Sequence, residues 1–100
     1  MTVISVLAGG KILAKETGTA GTIDANENDY AKAFNVTMND LRKVDTVINV
    51  KLTLAPAGAS MGEAVGAKHT GNVVGFTVVG ISSTIVGCTV TPEVIATGYA

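Results

Sequence analysis

The stretch DTVINVKLTL, residues 45–54, shows the most regular alternation of side chains in this sequence. Alternate positions divide it into two faces: Thr46, Ile48, Val50, Leu52 and Leu54 on one, and Asp45, Val47, Asn49, Lys51 and Thr53 on the other. A period of two over ten residues predicts a β-strand, because successive side chains of a strand point to opposite faces of its sheet. Pro56 is expected to end this strand.

The composition extends this prediction to the whole chain. Val, Ile and Thr supply 34 of the 100 residues, and their branched Cβ atoms favour strands over helices. Twelve glycines punctuate the sequence, as expected for short strands joined by tight turns. We therefore predict an all-β fold, a small antiparallel β-sandwich or barrel-like domain, with residues 1–100 forming one domain.

The same reasoning predicts the other elements. A hairpin is expected at Gly9–Gly10, and residues 31–38 should place Lys32, Phe34, Val36 and Met38 on one face. Residues 39–43 predict a turn or one short helical turn, and residues 55–66 a surface loop. The remaining strands are expected at 2–8, 11–17, 73–81, 85–91 and 93–99, with Pro92 breaking the chain between the last two.

Charge is distributed unevenly along the chain. All seven basic residues lie at or before Lys68, and Glu93 is the one formally charged side chain from His69 to Ala100. A strand such as VVGFTVV, residues 73–79, is an aggregation hazard if its edge stays open. The C-terminal third is therefore expected to be covered, either by the chain's own fold or by neighbouring subunits.

Catalytic and metal-binding patterns are sparse, so we predict no enzymatic activity and no cofactor or metal site. Gly9-Gly10-Lys11 lacks the earlier glycine and the Ser or Thr of a phosphate-binding loop. The run Asp24-x-Asn26-x-Asn28 resembles the start of a calcium loop, but position six is not glycine and position twelve is not glutamate. His69 with Ser82 or Ser83 lacks a nucleophile-elbow sequence, and Cys88 is expected to be a buried thiol.

Other partners are disfavoured by the same composition. A net charge of −1, two Tyr, two Phe and no Trp provide no platform for nucleic acid. Residues 70–92 carry no formal charge and include Gly71-x-x-x-Gly75, but seven Ser or Thr make a membrane helix improbable. The N-terminus lacks a basic region followed by a long apolar core, so we predict synthesis and folding in a reducing cytoplasm rather than export.

Three segments carry a resemblance to a known group of proteins: Leu41-Arg-Lys-Val-Asp-Thr-Val-Ile-Asn-Val-Lys-Leu-Thr-Leu, then Gly71-Asn-Val-Val-Gly-Phe-Thr-Val, and Val94-Ile-Ala-Thr-Gly-Tyr. In their order and loose strand motifs, over about 60 residues, they resemble short virion structural proteins of tailed bacteriophages. The resemblance implies a small β-sandwich on the virion, as a head decoration, spike, collar or fibre protein, with no catalytic residues.

These observations lead to a functional prediction. The chain is expected to be a non-enzymatic capsid decoration or spike protein that binds its own copies, as a homotrimer or higher oligomer, and a capsid or tail lattice protein. Six residues are expected to divide between the core and a subunit interface: Phe76, Val78, Ile81, Ile85, Ile95 and Tyr99. The alternatives are a cellular β-sandwich module that binds a peptide by strand addition, and a small metal-binding or hydrolytic domain.

Overall fold

A computed structural model describes residues 2–6, 8–23, 31–55, 62–80 and 87–100. No α-helix occurs among these residues, and most of them lie in strands. The strands are β1 (Thr2–Val6), β2 (Lys11–Thr17), β3 (Gly21–Thr22), β4 (Ala31–Thr37), β5 (Lys43–Ala55), β6 (Gly62–Thr70), β7 (Val73–Gly80) and β8 (Thr89–Tyr99).

The strands form two antiparallel sheets that pack against each other, which confirms the predicted all-β class. In the first sheet, β8 is central, with β5 along one edge and β2 followed by β3 along the other, and β1 lies outside β2. In the second sheet, β7 lies between β4 and β6. The predicted hairpin is also present, since β1 pairs with β2 across a turn in which Gly9 and Gly10 have φ of 77° and 79°.

The core lies between the two sheets and follows the alternation of the sequence. The face predicted to hold Lys32, Phe34, Val36 and Met38 is the inner one: Phe34, Val36 and Met38 are buried, and Lys32 is half-buried. Met38 lies just beyond the end of β4. Phe34 lies opposite Phe76 of β7, and their rings stack with centroids 5.9 Å apart. The first sheet contributes smaller side chains to the same core, namely Ala14, Val44, Val90, Val94 and Ala96.

Strand β5 departs from the strict alternation predicted for it. Two bulges interrupt its pairing with β8, so that Asp45 and Ile48 are extra residues without a partner in the register. Each extra residue reverses the alternation, and Val47 rather than Ile48 packs against the core. Ile48 is 57% exposed, and the predicted face holds only from Val50 to Leu54.

Strand β8 runs through Pro92, so the predicted break at this proline is wrong. The Gly18 N–H donates to the Pro92 carbonyl at 2.8 Å. Because the N–H and C=O of one strand residue point to the same side, the missing N–H of Pro92 faces the interruption between β2 and β3. The proline therefore costs β8 no backbone hydrogen bond at this position. Gly18 is required here, because a Cβ on it would lie 2.7 Å from Val36 Cγ2 and 3.1 Å from Pro92 Cγ.

The predicted surface loop over residues 55–66 is wrong at both ends, because Ala55 belongs to β5 and Gly62 begins β6; residues 56–61 lie outside the described ones. Strand β6 is poor in strong strand formers and contains Gly66 at φ 67°, within a bulge opposite Phe76. The expected turn over residues 39–43 is confirmed as a turn without a helix; Lys43 already begins β5.

Candidate assembly surfaces

The charge-poor C-terminal third forms the central strand of each sheet. Strand β7 pairs with β4 and β6 along its two edges, and β8 pairs with β5 on one side and with β2 and β3 on the other. Central strands have no open edge to protect, so they need no charged side chains for that purpose. The chain's own fold therefore accounts for the uneven charge, and this asymmetry by itself supports no subunit contact.

The six predicted interface residues fall into three groups. Phe76 and Val78 are buried in the core. Ile95 and Tyr99 are half-buried on the outer face of the first sheet. Ile81 and Ile85 lie outside the described residues. A single chain shows that Phe76 and Val78 belong to the core. The subunit contacts predicted for the other residues stay a prediction.

The outer face of the first sheet is rich in charge. Lys15 of β2 lies 4.0 Å from Glu93 of β8. Lys11 of β2 reaches across Tyr99, with Nζ 6.0 Å from the ring centre, and donates a 3.0 Å hydrogen bond to Oδ2 of Asp45 on β5. The face is crossed by rows of Lys, Glu, Asp and Thr, which is typical of a solvated sheet surface.

The ion pair on this face changes both titrations. The hydrogen bond from Lys11, helped by one from the Thr46 hydroxyl, lowers the pKa of Asp45 below its ordinary value. The same hydrogen bond raises the pKa of Lys11. Both groups are open to water, so the pair contributes little to stability.

The outer face of the second sheet is different in character. We define the β4–β7 outer face as the outward positions of these two strands: Ala31, Ala33, Asn35, Thr37, Val73, Gly75, Thr77 and Val79. None of these eight side chains is charged. The charges of this sheet's outer face lie on the neighbouring edge strand β6, at Glu63 and Lys68, on either side of Val65, which is 39% exposed.

A groove of about 710 Å³ lies between edge strands β5 and β6. Its β5 wall runs from Asp45 to Leu52, and its β6 wall includes Glu63, Ala64 and His69. The half-buried core residues Val47 and Val50 reach into it, so the groove opens on the apolar interior between the sheets. Ile48, in its bulge, is 57% exposed, against 39% for Val65, the other large apolar side chain exposed between residues 9 and 23, 31 and 55, 63 and 79, or 87 and 100. Sequence analysis missed this position, because the bulge that exposes it leaves no mark in the alternation.

Among the described residues, one buried carboxyl group lies beside a second, smaller cleft. Glu16 of β2 is 8% exposed, and its Oε1 accepts 3.0 Å hydrogen bonds from both the backbone N and the side-chain Nδ2 of Asn39. Because Glu16 belongs to the first sheet and Asn39 follows a strand of the second, these bonds join the two sheets. Sequence analysis did not single out Glu16.

The residues considered for catalysis are not gathered into a site. Within the described segments, no three His, Cys, Asp or Glu side chains approach as metal ligands would. Cys88 is buried, as expected, and His69 is exposed on β6 beside the groove. The calcium-like run at residues 24–29 and both Ser82 and Ser83 lie outside the described residues.

Comparison with known proteins finds no relative: no protein family, curated protein or solved structure matches this chain. A search of the described residues for a helix long and apolar enough to span a bilayer also finds none.

Proposed function

We propose that this chain is a non-enzymatic structural assembly protein of a phage virion, a capsid decoration or spike protein that forms homo-oligomers on the particle. The observation that carries the assembly role is the uncharged β4–β7 outer face, opposite a face crossed by lysines and acids. Subunit contacts are depleted of charge at their centre, because a charge that loses water without gaining a partner is costly. The virion location rests on the resemblance of residues 41–99 to phage structural proteins.

The size of this face indicates how it would act. Seven residues of strand span about 23 Å, and the two strands at about 4.8 Å each cover about 10 Å, which gives a surface of roughly 220 Å². A stable pairwise interface buries about 800 Å² per partner. One such contact is therefore weak by itself, but a ring or a lattice repeats it many times, and simultaneous contacts multiply their effect.

A pair of matched variants tests the role of this face. Thr77 and Thr97 are both half-buried, and each lies at an outward position of the central strand of its sheet. We expect Thr77→Lys to abolish assembly into oligomers, since it places a charge in the middle of the uncharged face. Thr97→Lys adds the same charge to the lysine-rich face and should leave assembly unchanged. Sedimentation velocity measures both, and an equal response of the two variants would contradict the proposed face.

The virion location has its own test. We expect the gene for this chain to lie among head or tail genes, and the protein to be found by mass spectrometry in particles purified on a density gradient. Presence in the infected cell but absence from the purified particles would reject the virion location and leave the assembly role to be judged from the Thr77 variants.

A second candidate function is favoured by the groove between β5 and β6. Both walls are edge strands without a hydrogen-bonded neighbour on that side among the described residues, and an open strand edge can take up an extended peptide. A cellular binding module would use the groove in this way and would be a monomer in solution. Solution mass therefore separates the two functions: a stable oligomer supports the assembly protein, and a monomer at all concentrations supports the module.

A further inference from the structure

The outer edge of β5 is the longest open edge in the described part of the chain. The strand has 13 residues, and its described partner, β8, lies on one side only. On the other side the strand borders the groove between Asp45 and Leu52, and its backbone groups there have no strand partner among the described residues. Edges of this length are usually shortened or covered in soluble proteins, because they template pairing with another strand.

Ile48 is placed near the middle of this edge. Its bulge removes it from the core, and it is 57% exposed while it lines the groove. A large apolar side chain held at an open strand edge favours a contact that covers it.

Two of the three charged side chains of β5 lie symmetrically about Ile48. Asp45 lies three residues before it, and Lys51 lies three residues after it. Both side chains are exposed, and both belong to the outer face of the first sheet, where Asp45 meets Lys11 and Lys51 lies opposite Glu93. If two copies of β5 run antiparallel about a two-fold axis through Ile48, Asp45 of each copy lies opposite Lys51 of the other.

We propose that β5 is a self-complementary edge, which pairs with β5 of a second copy about a two-fold axis at Ile48 and joins two first sheets into one. The pairing places Ile48 against its own copy and forms two Asp45–Lys51 pairs. Shifting the axis to Val47 would instead place Lys43 opposite Lys51, so the charges select one register among neighbouring ones. An extended peptide in the groove is the competing occupant.

This inference rests on the proposed assembly role, because it names one contact through which copies meet. It uses a different surface from the β4–β7 outer face, so the two can fail separately. Loss of oligomers in Thr77→Lys with no effect of the β5 variants would reject the self-pairing alone. The reverse result would reject the β4–β7 outer face as the contact and retain β5.

The test uses two single variants and their mixture. In Lys51→Asp, both cross-strand pairs of a self-dimer become Asp opposite Asp, and in Asp45→Lys both become Lys opposite Lys. We expect each variant alone to dimerise at least tenfold more weakly than the unchanged chain at low salt. In an equimolar mixture, every Lys again lies opposite an Asp, so heterodimers should form with nearly the original affinity.

Lys43→Asp is the matched control, since it makes the same charge change on the same strand at a position that lies opposite Thr53 in this register. It should dimerise within about threefold of the unchanged chain. Circular dichroism checks that each variant is folded, and native mass spectrometry counts homodimers and heterodimers. The proposal is overturned if the mixture forms no heterodimers, if Lys43→Asp weakens dimerisation as much as Lys51→Asp, or if the unchanged chain stays monomeric up to millimolar concentration.

Discussion

The two sheets share one core, but their outer faces differ in charge. The outer face of the first sheet is crossed by lysines paired with Asp45 and Glu93, whereas the β4–β7 outer face has no charged side chain at its eight positions. The inner faces of both sheets are mostly apolar, with Glu16 on one and Lys32 on the other, so packing of the core does not account for this difference. The core therefore constrains the side chains on one side of each strand, whereas water or a neighbouring molecule constrains those on the other.

The largest effect on stability is expected in the core that the two sheets share. Phe76→Ala removes a buried ring that stacks on Phe34, and we expect a loss of about 3–5 kcal/mol in the free energy of unfolding. Chemical denaturation measures it. Phe76 and Thr77 are neighbours that point to opposite sides of β7, so Thr77→Lys should change assembly with little change in stability. Equal destabilisation by both would show that the two sides of β7 do not act independently.

An intermediate effect is expected at Glu16, whose buried carboxyl group connects the two sheets. Glu16→Ala leaves the backbone N–H and the amide of Asn39 without their acceptor, and we expect a loss of about 1–3 kcal/mol. Asn39→Ala removes one of the two donors and should cost less. If Glu16→Ala unfolds at the same denaturant concentration as the unchanged chain, the connection between the sheets contributes nothing measurable.

The smallest effect is expected from the ion pair on the charged face. Because the pKa of Asp45 is lowered on folding, its contribution to stability is present above the ordinary carboxyl pKa and is lost as the pH falls through the lowered value. The raised pKa of Lys11 has the opposite sign: its contribution is present below the ordinary lysine pKa and is lost as the pH rises through the raised value. We expect the melting temperature of Lys11→Met to vary slightly less with pH than that of the unchanged chain, in both the acidic and the alkaline range. A melting temperature that varies more steeply with pH in the variant would contradict the role given to the Lys11–Asp45 pair.

Much of the fold follows from local patterns. The alternation over residues 31–38 placed Phe34 and Val36 on one face, and paired glycines marked the first turn. Two features could not be predicted in this way. The residues of β6 have a weak intrinsic preference for strand, and the segment forms a strand because it pairs with β7. Pro92 is tolerated in a central strand because β2 ends beside it, so that no strand residue there needs the missing N–H. The candidate surfaces were less predictable still, since they depend on which strands lie side by side.

By itself, the sequence determined the all-β class, the division of β4 into two faces and the concentration of charge in the first 68 residues, because side-chain alternation and Cβ branching act within a single strand. Only the tertiary structure decided that the charge-poor strands are central, that Asp45 and Ile48 stand in bulges, and that one outer face is uncharged. These features depend on register between strands distant in sequence, and register is set by packing and pairing over the whole domain.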